Sequence, residues 1–334
     1  MPIKLNAFVE AFRGDFVEDI HKVSLIVVNS AGETLFVAGN PELQVHMRSS
    51  AKPFQAQALF QSGAYEQFGL SLKELALCCA SHDGSADHIE TARGILRKIG
   101  LNETYLNCGG HYPGDTETRK ALLAKGEEPA DIHNNCSGKH SGMLAIARAL
   151  DAPLEAYETR EHPVQTLIFD IAYEMLDIEN IPHAIDGCSV PTFILPLGDA
   201  AKMYAQLSDP GTAKDKYREG LITVFQAMQA HPDMIAGFES IDTQLMQAVP
   251  NIAVKRGAQG YYGMAIKDSK YGHLGICLKL ESGSNEARNV FIIALLEYLG
   301  VLSEDRPMKW RKQAISNHRG MVTGYYHAGI ERIK

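Results

Sequence analysis

Runs of lysine or arginine are missing from this sequence, and with them the basic stripe that binding to a phosphate backbone requires. The 334 residues carry 32 Lys and Arg against 40 Asp and Glu, a formal net charge of −8, so no nucleic-acid partner is expected. Long apolar runs are absent too. No stretch approaches the roughly 18 consecutive apolar residues of a membrane-spanning helix. The opening segment from Met1 to Ile20 interrupts its apolar positions with Glu10, Arg13, Asp15, Glu18 and Asp19, which does not fit a signal peptide. A cytoplasmic protein without a membrane partner is the expectation. Cysteine is scarce: positions 78, 79, 108, 136, 188 and 277 include one adjacent pair and no framework spacing, which speaks against a disulfide scaffold. Gly-Ser linkers, low-complexity tracts and internal repeats are lacking, so nothing marks an independent second domain.

What the chain does have is enough apolar material, 45% of residues, for one large or two closely packed cores. Residues 23–39 form two β-rich runs around Ser30-Ala31-Gly32-Glu33, a hairpin signal, and a strand over 4–11 precedes them. From Lys52 to about residue 250 the pattern is mainly helical. Ser71 with Glu74 makes a capping box, Ser85 opens an amphipathic run ending near Gly100, and 162–178 and 215–230 carry helical spacing. Short β-like runs return at 251–256, 261–267 and 273–280, followed by an apolar helix over 285–302. The expected fold is α+β, an antiparallel sheet built from the N- and C-terminal strands with helices packed on it and a mainly helical lobe between. One unit over 1–334 is expected, with a discontinuous sheet lobe over about 1–70 and 250–334 and a helical lobe over about 71–249.

Several constellations could do chemistry. Ser49 and Lys52 have S-x-x-K spacing, which lets an amine reach a hydroxyl on one helix face, and a desolvated lysine can activate a serine. Pro53 disfavours the helical region at Lys52 but is tolerated in a first turn. Taken alone, the spacing fits an N-cap serine and an exposed lysine better. Ser81 and His82 precede Gly84, which can take the left-handed conformation and expose them; the adjacent Ser-His-Asp letters are no triad, because neighbouring side chains point apart. Cys136 and His140, four apart, suit one metal on a helix face, and Cys188 could complete a zinc set, although on spacing alone buried thiols explain them better. Lys255 lies where a C-terminal strand meets a glycine-rich turn; a solvated basic turn is the commoner reading.

These signals share one order: R-S-S-A-K at 48–52, C-A-S-H at 79–82, C-G-G-H at 108–111, N-N-C-S-G-K-H at 134–140, H-P at 162–163, D-G-C at 186–188 and K-x-G-A-x-G from Lys255. Together they resemble the Rhizobium-type L-asparaginase family, also called the asparaginase II family, over essentially the whole chain. That family is similar in fold to serine β-lactamases, penicillin-binding proteins and serine glutaminases. The resemblance implies hydrolysis of L-asparagine by two Ser-Lys pairs, Ser49 with Lys52 and Ser81 with Lys255. It also implies a labile zinc site of Cys136, Lys139 and Cys188, in which Lys139 replaces His140, and a homodimer. By charge complementarity Asp186 suits the substrate's ammonium group and Arg48 its carboxylate, and His82 joins them as a substrate-binding residue. Two positions depart from the family pattern: Ser85 where a glutamate often follows S-H-x-G, and Gln259 where K-x-G-A-E-G is usual. Both put the Asn/Gln preference in question, which leaves a glutaminase, another serine amidase, or a non-catalytic zinc- or amino-acid-binding protein as alternatives.

Overall fold

The computed structural model describes residues 1–333. They form two compact units: Met1–Ser50, Leu195–Thr212 and Ala248 onward make one, and Ala51–Ile194 with Ala213–Gln247 make the other. The first is organised by a sheet and the second by helices, a mixed α+β structure. Residues 51–70 fall with the helices and 195–212 with the sheet, whereas the expected lobes divide at about 70 and 250.

In the sheet unit, eight strands run in the order 314–316, 322–332, 3–13, 34–38, 16–29, 272–280, 261–269 and 252–256. Nearly all pairings are antiparallel; 3–13 and 34–38 run parallel. The N-terminal and C-terminal strands thus meet in one sheet, joined where Val23–Asn29 pairs with Leu274–Leu280. The second strand begins at Phe16, earlier than the hairpin signal, because its polar stretch FVEDIHK extends as a partner of 8–13. Strand alternation gives the sheet two apolar faces. Against one lies the helix Leu197–Ser208, so close that a Cβ on Gly275 would stand 2.1 Å from the Ala201 carbonyl oxygen and one on Gly263 would enter the Tyr204 ring. Tyr262, of the opposite parity, lies under Arg288 of the helix Asn285–Tyr298, 5.4 Å from ring centroid to guanidinium.

The helical unit is built around Ser137–Ala149, buried from Ser137 to Ala147. The helices Leu72–Cys78, Ala86–Lys98 and Pro163–Leu176 pack against it. Leu72–Cys78 crosses it closely because Gly138 and Gly142 leave room: a Cβ on Gly138 would stand 2.5 Å from the Leu77 carbonyl oxygen, and one on Gly142 2.8 Å from Cys78 Sγ. The expected capping box forms, with Ser71 Oγ accepting from the Glu74 N–H and Glu74 accepting from the Ser71 N–H. This crossing sets the end of Leu72–Cys78, and so the loop from Cys79 to Gly84, beside the entrance of the central helix.

Candidate active site

Lys52 opens a four-residue helix with Pro53 in its first turn. Its side chain is buried, 2% exposed, and its Nζ lies within hydrogen-bond reach of three groups of the helical unit: the Ala80 carbonyl, Ser81 Oγ at 3.1 Å and Cys136 Sγ at 3.1 Å. None of these three partners is a carboxylate. A buried amine held by uncharged acceptors beside a hydroxyl is the arrangement proton transfer from serine needs.

Ser81 is held by its backbone. Its N–H donates to the Ile235 carbonyl at 2.8 Å, and the next N–H, of His82, to the Asn135 carbonyl at 3.2 Å. The loop then turns at Gly84, with φ +77°. Asp83 presses against Gly237, whose own Cβ would overlap the carboxylate. Both ring nitrogens of His82 are engaged: Nδ1 accepts from the Gly84 N–H within the loop at 3.1 Å, and Nε2 lies 3.0 Å from Ser137 Oγ at the start of the central helix. Burial pushes the His82 imidazole well below its usual value, with smaller contributions from His88 and Lys52, so the ring is neutral and carries its proton on Nε2. In this arrangement His82 positions the serine loop.

A sulfur and nitrogen cluster adjoins. Lys139 Nζ lies 3.0 Å from Cys188 Sγ, and Cys188 is hydrogen-bonded to Cys136. The hydrogen bond from Cys136 lowers the Cys188 thiol far below its usual value, and Lys139 adds to this against the effect of burial. Cys136 is raised, by the same hydrogen bond and by burial. For Lys139 burial works against the charge, but the Cys188 and Cys136 sulfurs outweigh it and raise the amine. Among the described residues no group of three or more His, Cys, Asp and Glu side chains is placed to hold a metal. The convergent set here is two sulfurs and a lysine amine, donors that suit zinc once the amine and the Cys136 thiol lose their protons. Asp186 lies nearby in a tight turn, its carboxylate accepting from the Gly187 N–H at 2.6 Å, and it contributes to raising Lys139. His140, the spacing-based candidate ligand, turns its Nδ1 to the Tyr157 hydroxyl at 2.7 Å.

Arg48 to Ala51 form a 3-10 turn whose first three residues belong to the sheet unit, with Arg48 at φ +50° and Ser49 part-exposed. Ser50 is buried; its hydroxyl donates to the Met47 carbonyl at 2.8 Å, and its carbonyl accepts from the Tyr204 hydroxyl at 2.7 Å. The turn lies beside the end of the last strand, where a Cβ on Gly257 would be 3.0 Å from the Met47 carbonyl oxygen. Lys255 belongs to that strand and is fully buried, with Nζ 3.1 Å from the Arg256 carbonyl. Ser49 and Lys255 therefore belong to one unit, and Lys52, Ser81, His82, Cys136, Lys139, Asp186 and Cys188 to the other. The Ile235 carbonyl, Tyr157 and Gly237 escaped the sequence reading; each acts on a residue far along the chain, which no spacing rule reports.

The sequence profile of the L-asparaginase II family matches residues 9–328. The chain belongs to that family. It is accordingly an amidohydrolase. No curated protein matches the chain. Among solved structures, a probable glutaminase from Bacillus subtilis is 11% identical, covering 84% of this chain and 85% of its own, with a TM-score of 0.42. A β-lactamase from Sphaerobacter thermophilus is 14% identical over 84% of this chain and 92% of its own, at 0.43, and one from Desulfarculus baarsii 13% identical over 84% and 92%, at 0.41. Likenesses at these scores add nothing to the family assignment. No helix of the described residues is long and apolar enough to cross a membrane.

Proposed function

We propose that this L-asparaginase II family member hydrolyses the side-chain amide of L-asparagine to L-aspartate and ammonia through a serine acyl-enzyme, with Lys52 as the proton acceptor. The observation that carries the proposal is the buried Lys52 amine 3.1 Å from a serine hydroxyl. The serine oxygen attacks the amide carbon as its proton passes to the Lys52 amine. The carbon–nitrogen bond then breaks, the leaving nitrogen takes that proton, and ammonia departs. Water, giving up a proton to the same amine, attacks the ester carbon; the amine returns that proton to the departing serine oxygen, and aspartate is freed.

Ser49, three residues before Lys52 in the chain, is the first choice of nucleophile, and Ser81 with Lys255 is assigned to proton relay. The engagement of the Ser81 N–H by Ile235 supports this order, since an oxyanion formed at Ser81 would lack that donor. The Lys52–Ser81 hydrogen bond supports a second reading with Ser81 as nucleophile. Arg48 and Asp186 are assigned to the substrate's carboxylate and ammonium groups.

Zinc is the metal we assign to Cys136, Lys139 and Cys188. When bound, it would supply a fixed positive charge that organises the cavity or orients substrate. The residues' own chemistry needs no metal-bound nucleophile. A homodimer also belongs to this proposal and rests on the family resemblance.

Ammonia release on asparagine, glutamine and a chromogenic β-lactam tests the function. Release from asparagine above glutamine is expected. Preference for glutamine shifts the reading to a glutaminase. Silence on all three, with asparagine still raising the melting temperature, indicates a binding protein. For the nucleophile, Ser49→Ala should lose turnover by about 10³-fold; near-normal turnover in Ser49→Ala with an inactive Ser81→Ala exchanges the two serines.

A further inference from the structure

His88 lies in the first turn of the helix Ala86–Lys98, is 2% exposed, and takes no part in the steps proposed above. Its ring reaches two separate segments that hold Ser81. Nε2 lies 3.0 Å from the Asp233 carbonyl oxygen in the short helix Pro232–Ala236. A carbonyl only accepts, so Nε2 carries a proton and donates it. Nδ1 faces the serine loop itself, 2.7 Å from Ser85 Oγ and 2.9 Å from Asp83 Oδ1. Ser85, one of the two departures from the family pattern, is thus a partner of this ring. The flat of the ring lies on His82, with centroids 5.0 Å apart and planes 16° from parallel.

The segment from Pro232 to Gly237 meets the serine loop at two further points. The Ile235 carbonyl accepts the Ser81 N–H at 2.8 Å. Gly237, at φ +85°, leaves room for Asp83, since a Cβ there would stand 2.0 Å from a carboxylate oxygen. A helix of five residues is not stable by itself, so the place of the Ile235 carbonyl depends on what pins the segment. The Asp233 carbonyl takes the Gly237 N–H at 2.9 Å and the His88 ring at 3.0 Å, and His88 is the one of the two that also grips the loop.

We propose that His88 is a positioning residue for Ser81: by joining the Asp233 carbonyl to Ser85 and Asp83, it fixes the Pro232–Ala236 segment and the serine loop against each other. The contacts close a circuit. It runs from the Ser81 N–H to Ile235, back along the chain to Asp233, across the imidazole to Ser85, and along the loop to Ser81 again. Opening it at His88 leaves Ser81 tied to a segment that can shift, and the hydroxyl then loses its fixed place 3.1 Å from the Lys52 amine. A misplacement of about 1 Å at a reacting group can cost about 10²-fold in rate. The proposal rests on the reading of Lys52 and Ser81 as parts of one reacting centre.

The test is steady-state ammonia release by the full-length protein, with melting temperature as the control for folding, together with crystal structures of wild type and variants. His88→Leu should lower kcat by about 10²-fold at a KM near that of wild type, and its Ser81 hydroxyl should leave hydrogen-bonding distance of Lys52. His88→Gln, whose amide N–H takes the place of Nε2–H, should recover most of the kcat. His88→Asn, too short to reach Asp233, should not. Near-wild-type kcat in a folded His88→Leu, with only the melting temperature lowered, shows a residue that serves stability alone and overturns the proposal. So does a change confined to KM. Should His88→Leu not fold, wild-type kcat in His88→Asn overturns it. Silence of wild type on both asparagine and glutamine defeats the functional reading; a Ser81 hydroxyl still bonded to Lys52 in the crystal structure of the folded variant defeats the positioning role, whether wild type is active or silent.

Discussion

The sheet unit and the helical unit each bury one lysine of the proposed Ser-Lys pairs, and they hold it by different means. Lys255 lies within a strand, opposite Gly263, so its direction follows from β-alternation and from the close approach of the helix Leu197–Ser208. Lys52 stands at the start of a helix of one turn, and its direction follows from what it meets: Ala80, Ser81 and Cys136, residues 28 to 84 positions away. A lysine placed by backbone regularity tolerates changes in its neighbours' side chains. One placed by three acceptors depends on the loops that present them, and those loops depend on the crossing at Gly138 and Gly142.

The comparison sharpens if the glycine contacts of the two units are filled. Gly275→Ala should be the more damaging, because its Cβ would meet backbone atoms at 2.1 and 2.3 Å and strand and helix are both fixed by long pairings. A loss of about 3 kcal/mol is expected, read as a lower denaturant midpoint. Gly138→Ala meets the Leu77 side chain and carbonyl at 2.5 Å. It should cost about 2 kcal/mol and, unlike Gly275→Ala, lower turnover in the protein that remains folded, since it moves the helix that ends at Ser81's loop. Equal effects on turnover would break the contrast. The smallest effect concerns Glu74, whose capping box starts the same helix. Burial pushes its carboxyl up, but hydrogen bonds from Lys98 and Ser71 outweigh this and leave it below its usual 4.5. Its contribution is therefore present above that value and lost as pH falls through the folded one. Glu74→Gln should cost about 1 kcal/mol at neutral pH, with the difference from wild type shrinking below pH ~4.5; a difference that grows on acidification contradicts the assignment.

Much of the sheet was legible because its core strands are short, continuous apolar runs that end in turn residues. Val23–Gly39 and the runs from Ile252 to Leu280 are of this kind, with Gly260 and Asp268–Gly272 between them. The pair at 314–316 and 322–332 was not read, as many of its side chains are exposed and show no apolar stripe. Leu197–Ser208 fell within the stretch read only as mainly helical; nothing local tells that its Ala201 and Ala205 face Gly275. For the site, Ser85 as a cap and Cys136 at a helix entrance were readable from local chemistry. Spacing favoured His140 beside Cys136, and only the resemblance pointed to Lys139. In the structure His140 turns Nδ1 to Tyr157, 17 residues on in an irregular segment, a contact with no periodicity to announce it. The Lys52–Ser81 hydrogen bond is of the same kind, set by a helix crossing and not by a motif.

The central claim is that Lys52 is the base, whichever serine attacks. Steady-state ammonia release from asparagine by wild type and Lys52→Met tests it most directly, with melting temperature as the control for folding. The account predicts release by wild type and a loss of about 10³-fold in a folded Lys52→Met. Turnover within about tenfold of wild type, less than a general base contributes, would contradict it.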